Sequence, residues 1–110
     1  MAKTKFEKLL LEAVDEAFDS LGNSAKRAIY FHLERKFKIS KKEIPNRIND
    51  FTKGLEKIFG VGAKFLEILI IRKIYEKTGK SFKWKENKEF LFQEYVAAAR
   101  HSFLRERKRS

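Results

Sequence analysis

Apolar residues recur at three- and four-residue intervals through most of this 110-residue chain, the period of one face of an α-helix and not the alternation of a strand. Phe6, Leu9, Leu10, Ala13, Val14, Ala17, Phe18 and Leu21 keep this spacing, which predicts an amphipathic first helix over residues 4–21, stopped by Gly22. Asn23 and Ser24 are helix-capping residue types, and a second helix is expected to run to about Phe37 with Ala25, Ala28, Ile29, His32, Leu33 and Phe37 on its inner stripe. So short a connection implies an antiparallel helical hairpin. Ser40 and Glu43 have capping-box spacing, but Pro45 is expected to push Ile44 toward extended geometry and leave a single helical turn.

A third helix, capped by Asn46 or Asn49, is expected to bury Ile48, Phe51, Leu55, Ile58 and Phe59 and to end at Gly60. The fourth begins at Gly62 and reaches about Lys77. Phe65, Leu66, Ile68, Leu69, Ile70, Ile71, Ile74 and Tyr75 cover most of its circumference, so it belongs at the centre of the bundle. Residues 80–85 alternate basic and aromatic side chains and read as an extended connector near 80–86. Asn87 then caps a last helix over roughly 88–107, with Phe92, Tyr95, Val96, Ala99 and Phe103 on one face. The fold class expected is all-α: one compact helical bundle of about five helices, a single domain over 1–110 with its core in 4–79 and a basic connector plus helix in 80–110.

With 43% apolar residues, 11 of them Phe, the chain has enough hydrophobe to bury a core although 37% of it is charged. The absence of Cys removes disulfides and thiolate metal sites and fits a reducing, cytoplasmic setting. No signal peptide is expected, because the basic N-terminus leads into an acidic amphipathic stretch. The apolar run Phe65–Ile74 is broken by Glu67, Arg72 and Lys73, so no membrane span is expected. Richness in Lys and Glu with few Gly also suits a thermophilic protein.

The charge balance narrows the partners. Lys and Arg number 26 against 15 Asp and Glu, a net charge of +11, and such an excess favours polyanions. Its distribution is uneven: residues 1–22 hold three Lys against five carboxylates, residues 23–48 eight Lys and Arg against two. One basic group, Lys26, Arg27, Arg35, Lys36, Lys38, Lys41, Lys42 and Arg47, surrounds the second helix and the corner after it. Another, Lys80, Lys83, Lys85, Lys88, Arg100, Arg105, Arg107, Lys108 and Arg109, brackets the last helix. Phe82 and Trp84 are suited to stacking on unpaired bases while the intervening Lys residues meet phosphates, or to docking on the bundle.

Residues 6–79 resemble a family of small helical archaeal proteins catalogued as a domain of unknown function. The likeness rests on residues 28–39 (AIYFHLERKFKI), 42–45 (KEIP), Phe51, Leu55 and Glu56, the LEKIFGVGAKFLE stretch (55–67) and 74–79 (IYEKTG). It implies an archaeal, helical protein and no particular reaction.

Catalytic chemistry finds no constellation here. The two histidines differ in setting: His32 falls on the inner stripe, where a core or boundary histidine is expected, and His101 on a basic helix. No metal-ligand spacing occurs, and Asp15 and Asp19 share an acidic helix face. No catalytic residue, metal or cofactor is therefore expected. Phe59-Gly60-Val61-Gly62-Ala63-Lys64 resembles the hairpin of helix-hairpin-helix proteins, in which backbone N–H groups hold a phosphate and Lys64 adds charge; it reads equally as a helix stop followed by close packing. A helix-turn-helix reading places Ile39–Pro45 as the turn and Arg47, Lys53 and Lys57 on the reading helix, without wing strands.

Phe90, Leu91, Ala97, Ala98 and Leu104 lie off the packing stripe of the last helix and suggest a homodimer interface. The expected function is non-catalytic binding of RNA, favoured over DNA, with a ribosome-associated, dimeric stress or dormancy factor as its specific form. The alternatives are a protein-interaction module docking through its helical faces and a DNA-binding regulatory or chromatin protein.

Overall fold

The computed structural model describes residues 4–79 and 91–109, with side chains as far as Arg105. Five α-helices account for most of these residues: α1 (Lys5–Asp19), α2 (Asn23–Phe37), α3 (Ile48–Phe59), α4 (Ala63–Thr78) and α5 (Phe92–Arg109). Two 3-10 turns, Lys41–Asn46 and Gly60–Gly62, join α2 to α3 and α3 to α4, and no strand occurs among the described residues. The all-α expectation holds. The extended connector near 80–86, the Asn87 cap and the first turn expected for the last helix lie outside the described residues.

Helix α1 forms as its periodicity requires. Thr4 and Glu7 close a capping box, and Phe6, Leu10, Ala13, Val14, Ala17 and Phe18 are buried. Leu21 falls beyond the helix and is exposed. Helix α4 lies at the centre as expected, packing on α1 most extensively and also on α3 and α5. Its apolar surplus is not all consumed: Leu66, Ile70, Ile71 and Ile74 are buried while Phe65 is 78% exposed. Rings tie the layers together, with Phe18 against Tyr30 and Phe51, Phe51 against Phe92, and Phe6 against Phe103, at centroid separations of 5.2 to 6.3 Å. Phe6, Phe18, Phe51 and Phe92 are thus core residues.

Local details depart from expectation where backbone geometry substitutes for side-chain caps. Gly22 at φ +103° is the N-cap of α2, and neither Asn23 nor Ser24 is needed. Arg47 precedes α3 without a side-chain cap, so Asn46 and Asn49 do not serve there either. Ser40 and Glu43 do form their capping box, but the turn extends over six residues with Pro45 inside it. Burial of Ile44 and Pro45 overrides the preference of a pre-proline residue for extended geometry. On α2 only Ile29 and Leu33 are fully buried; Ala28 is exposed, and His32 and Phe37 are half-buried. Across the interface, Gly54 of α3 lets the two helices approach closely, since an added Cβ would sit 2.8 Å from Leu33 Cδ2.

Candidate nucleic-acid interface

Internal ion pairs decide which cations are available to a partner. Asp15 accepts hydrogen bonds from Lys26 Nζ (3.3 Å), Lys41 Nζ (3.0 Å) and the Tyr30 hydroxyl (3.0 Å). Lys26 also reaches Asp19 at 2.9 Å. Burial opposes charge on Asp15, but the donors from Lys41, Tyr30 and Lys26 outweigh it and hold the carboxyl below its ordinary range. Burial, reinforced by Asp15, pushes the Tyr30 hydroxyl strongly up. On the other side of α1, Lys77 pairs with Glu16 and Glu12 and Lys73 with Glu16. The acidic first helix is therefore clasped by α2, α4 and the turn after α2.

Lys26 and Lys41, both expected to meet nucleic acid, are engaged in that clasp. So is Arg47 in another: its guanidinium donates to the Lys38 carbonyl and pairs with Asp50 and Glu43. Arg100 donates to the Pro45 carbonyl at 3.1 Å, and its guanidinium lies 5.3 Å from the Phe6 ring centroid. A groove of about 700 Å³ runs between Asn46–Asp50 and α5. It contains Arg47, Arg100 and His101, but also Asp50, and its two guanidinium groups are committed to protein acceptors. This groove carries two guanidinium groups against one carboxylate, with neither guanidinium free of a protein acceptor.

A second concavity has another character. Between α2 and α3 a cleft of about 430 Å³ is lined by His32, Lys36, Phe37, Lys57 and Ile58, with no carboxylate in its lining. His32 and Lys36 stand one helical turn apart on α2, and Lys57 faces them from α3. Neither Lys36 nor Lys57 forms an ion pair among the described residues. Arg27, Arg35, Lys38 and Lys42 are exposed on α2 and the segment following it, and Lys38 adopts φ +56° where the helix turns away. Arg35 lies 5.6 Å from the centroid of the Phe31 ring, which is 57% exposed and meets the His32 ring edge-on at 5.8 Å. His32, expected as a core or boundary residue, is half-buried and lines this cleft.

The hairpin between α3 and α4 holds Lys64 away from the cleft lining. Gly60, at φ +58°, requires a residue without a side chain, whereas Gly62 has ordinary helical φ and would admit a Cβ at 3.9 Å from its nearest neighbour, Phe59 Cβ. The hairpin is a helix stop, and close packing at Gly62 is absent. Val61, Lys64 and Phe65 are exposed there. Arg105 is exposed on α5, and Arg107, Lys108 and Arg109 lie on the same helix beyond the described side chains. Lys80, Lys83, Trp84, Lys85, Lys88 and Phe90 are outside the described residues. Of the expected dimer residues, Leu91, Ala97, Ala98 and Leu104 are all exposed.

Lys57 and Phe31 extend the charge clusters read from sequence. Lys57 reaches the row of His32 and Lys36 only because α3 packs on α2, which no local sequence signal reports. A residue of opposite interest, Glu67 on α4, is only 4% exposed, and its Oε2 has no hydrogen-bond partner among the described residues. Burial foremost, with Glu56 adding and Lys64 opposing, pushes its pKa up to about 7.

The structure is similar to the crystal structure of PH0832 from the archaeon Pyrococcus horikoshii OT3, with a TM-score of 0.73 and 19% identity over 91% of this chain and 98% of that one. The shared property is the fold, which agrees with the helical character implied by the resemblance over residues 6–79. No family model and no curated protein sequence matches the chain. Among the described residues no group of His, Cys, Asp and Glu is arranged to hold a metal, and no helix is long and apolar enough to cross a membrane.

Proposed function

We propose that the protein binds RNA without catalysis, through phosphate contacts centred on the α2–α3 cleft. The observation carrying this reading is the lining of that cleft, where Lys36 and Lys57 face one concavity with His32 and without a carboxylate. Arg27, Arg35 and Lys38 enlarge the cationic surface on the α2 side. A phosphate entering the cleft meets donors that no internal acceptor occupies, whereas at Lys26, Lys41 or Arg47 it must displace one. The basic C-terminal end of α5 supplies a further contact in this reading. Neutralising phosphates releases condensed cations, so affinity falls linearly with salt on logarithmic axes, by about 0.7 per contacted phosphate on a single strand. Anisotropy of a labelled RNA titrated between about 50 and 200 mM salt is expected to show that steep fall, and a flat response refutes the proposal.

Exposure of Leu91, Ala97, Ala98 and Leu104 along α5 supports pairing of two copies through this helix. Two clefts on one particle would suit a ribosome-associated factor of the stress or dormancy type. Sedimentation at micromolar protein is expected to show dimer for wild type and monomer for Leu104→Glu; monomer in both cases removes the dimer. Docking of a partner protein on the acidic helix receives less support, because Asp15, Asp19, Glu12 and Glu16 already pair with lysines.

A further inference from the structure

We infer that Phe31 is a stacking platform for an unpaired base, so that the cleft is built for single-stranded RNA and not for a duplex. This deepens the phosphate-binding proposal and rests on it. Helix α2 carries two neighbouring rows, Phe31 with Arg35 and His32 with Lys36, each an aromatic ring followed one turn later by a cation. The second row lines the cleft, and the first flanks it, joined through the edge-on contact of Phe31 with His32.

Phe31 adds little to the core. It is 57% exposed, while α2 fully buries only Ile29 and Leu33. The Arg35 guanidinium lies over one face of the ring, and the cation-backed ring offers its other face for a nucleobase to stack on. The contact of the Phe31 ring with His32, which lines the cleft, places the stacking surface next to the phosphate-binding one. In a duplex the base faces are covered by their stacked neighbours, and only the phosphates remain to be bound. Glu34 is the nearby carboxylate on α2, and Glu56 on α3 acts on Glu67; neither lines the cleft.

The test compares a short labelled oligoadenylate with an adenine–uracil RNA duplex of equal length, using wild type, Phe31→Ala and Phe31→Tyr across a salt series. Phe31→Ala is expected to weaken oligoadenylate binding by roughly five- to hundredfold, the range found for loss of a base–aromatic stack, with the salt slope unchanged. Phe31→Tyr is expected to restore it, and duplex binding is expected to be the same in all three. If wild type binds the oligoadenylate with a steep salt slope and Phe31→Ala binds it equally well, the stacking role is overturned and the phosphate role stands. Equal weakening toward single strand and duplex also overturns stacking, and wild type that binds neither RNA overturns both readings.

Discussion

Glu67→Met is expected to raise thermal stability at neutral pH by about 3 kcal/mol, roughly 10 °C or more in melting temperature for a domain of this size. Wild-type Glu67 is 4% exposed and leaves Oε2 without a hydrogen-bond partner among the described residues, and the folded chain holds its proton up to a pKa of about 7 instead of the ordinary 4.5. Between these two values the unfolded chain gives up the proton while the folded chain keeps it. Stability from this group therefore falls as pH rises from about 4.5 to about 7 and stays low above that. Methionine follows the same unbranched path without a charge or an unpaired acceptor, so it removes both the penalty and its pH dependence. Melts at about pH 5 and pH 8 measure the effect: the variant's advantage is expected to be several times larger at the higher pH, and an equal advantage at both refutes the assignment.

Asp15 contributes with the opposite sign. Its folded pKa lies below 3.8, so the stability it confers is present above that value and lost as pH falls through the folded pKa. Mild acid relieves Glu67 before it disarms Asp15. The optimum consequently lies on the acidic side of neutrality, although a strongly basic composition alone suggests that protonation should only add repulsion.

The helices as far as α4 were legible because their apolar residues keep helical spacing and glycines punctuate the chain at Gly22, Gly60 and Gly79. What was less legible is how neighbouring helices share the surplus. The α4 pattern gives no sign that Phe65 would face water while Glu67 is buried, since helical period alone cannot say which flank of a nearly all-apolar helix a neighbour covers. The charge clusters were visible, but not which of their members were already engaged. Lys26 and Lys41 lie 11 and 26 residues from Asp15 in sequence, so only the fold brings them together. The same long-range placement turns Lys57 toward Lys36 and makes a cleft from residues that sequence divides between two helices.

Charge reversal at that cleft separates a cationic surface from a cationic site. Lys36→Glu combined with Lys57→Glu is expected to lower RNA affinity at about 100 mM salt by roughly 10- to 100-fold and to reduce the salt slope by about 1.4, the loss of two phosphate contacts at about 0.7 each. Both side chains are exposed, and neither makes an ion pair among the described residues, so the fold has no internal charge to lose when they change. Lys77→Gln is the informative contrast. It removes the partner of Glu12 and leaves Glu16 with Lys73 alone among the described residues, and it changes the net charge in the same direction, but lies outside the cleft. If net charge alone attracts RNA, the effect of Lys77→Gln should approach one quarter of that of the double reversal, since it removes one positive charge where the reversal changes four. If the cleft is the site, Lys77→Gln should lower melting temperature slightly and leave the salt slope at the wild-type value. The slope is the deciding measurement, because it counts the phosphates that are gripped and is insensitive to a fraction of misfolded protein.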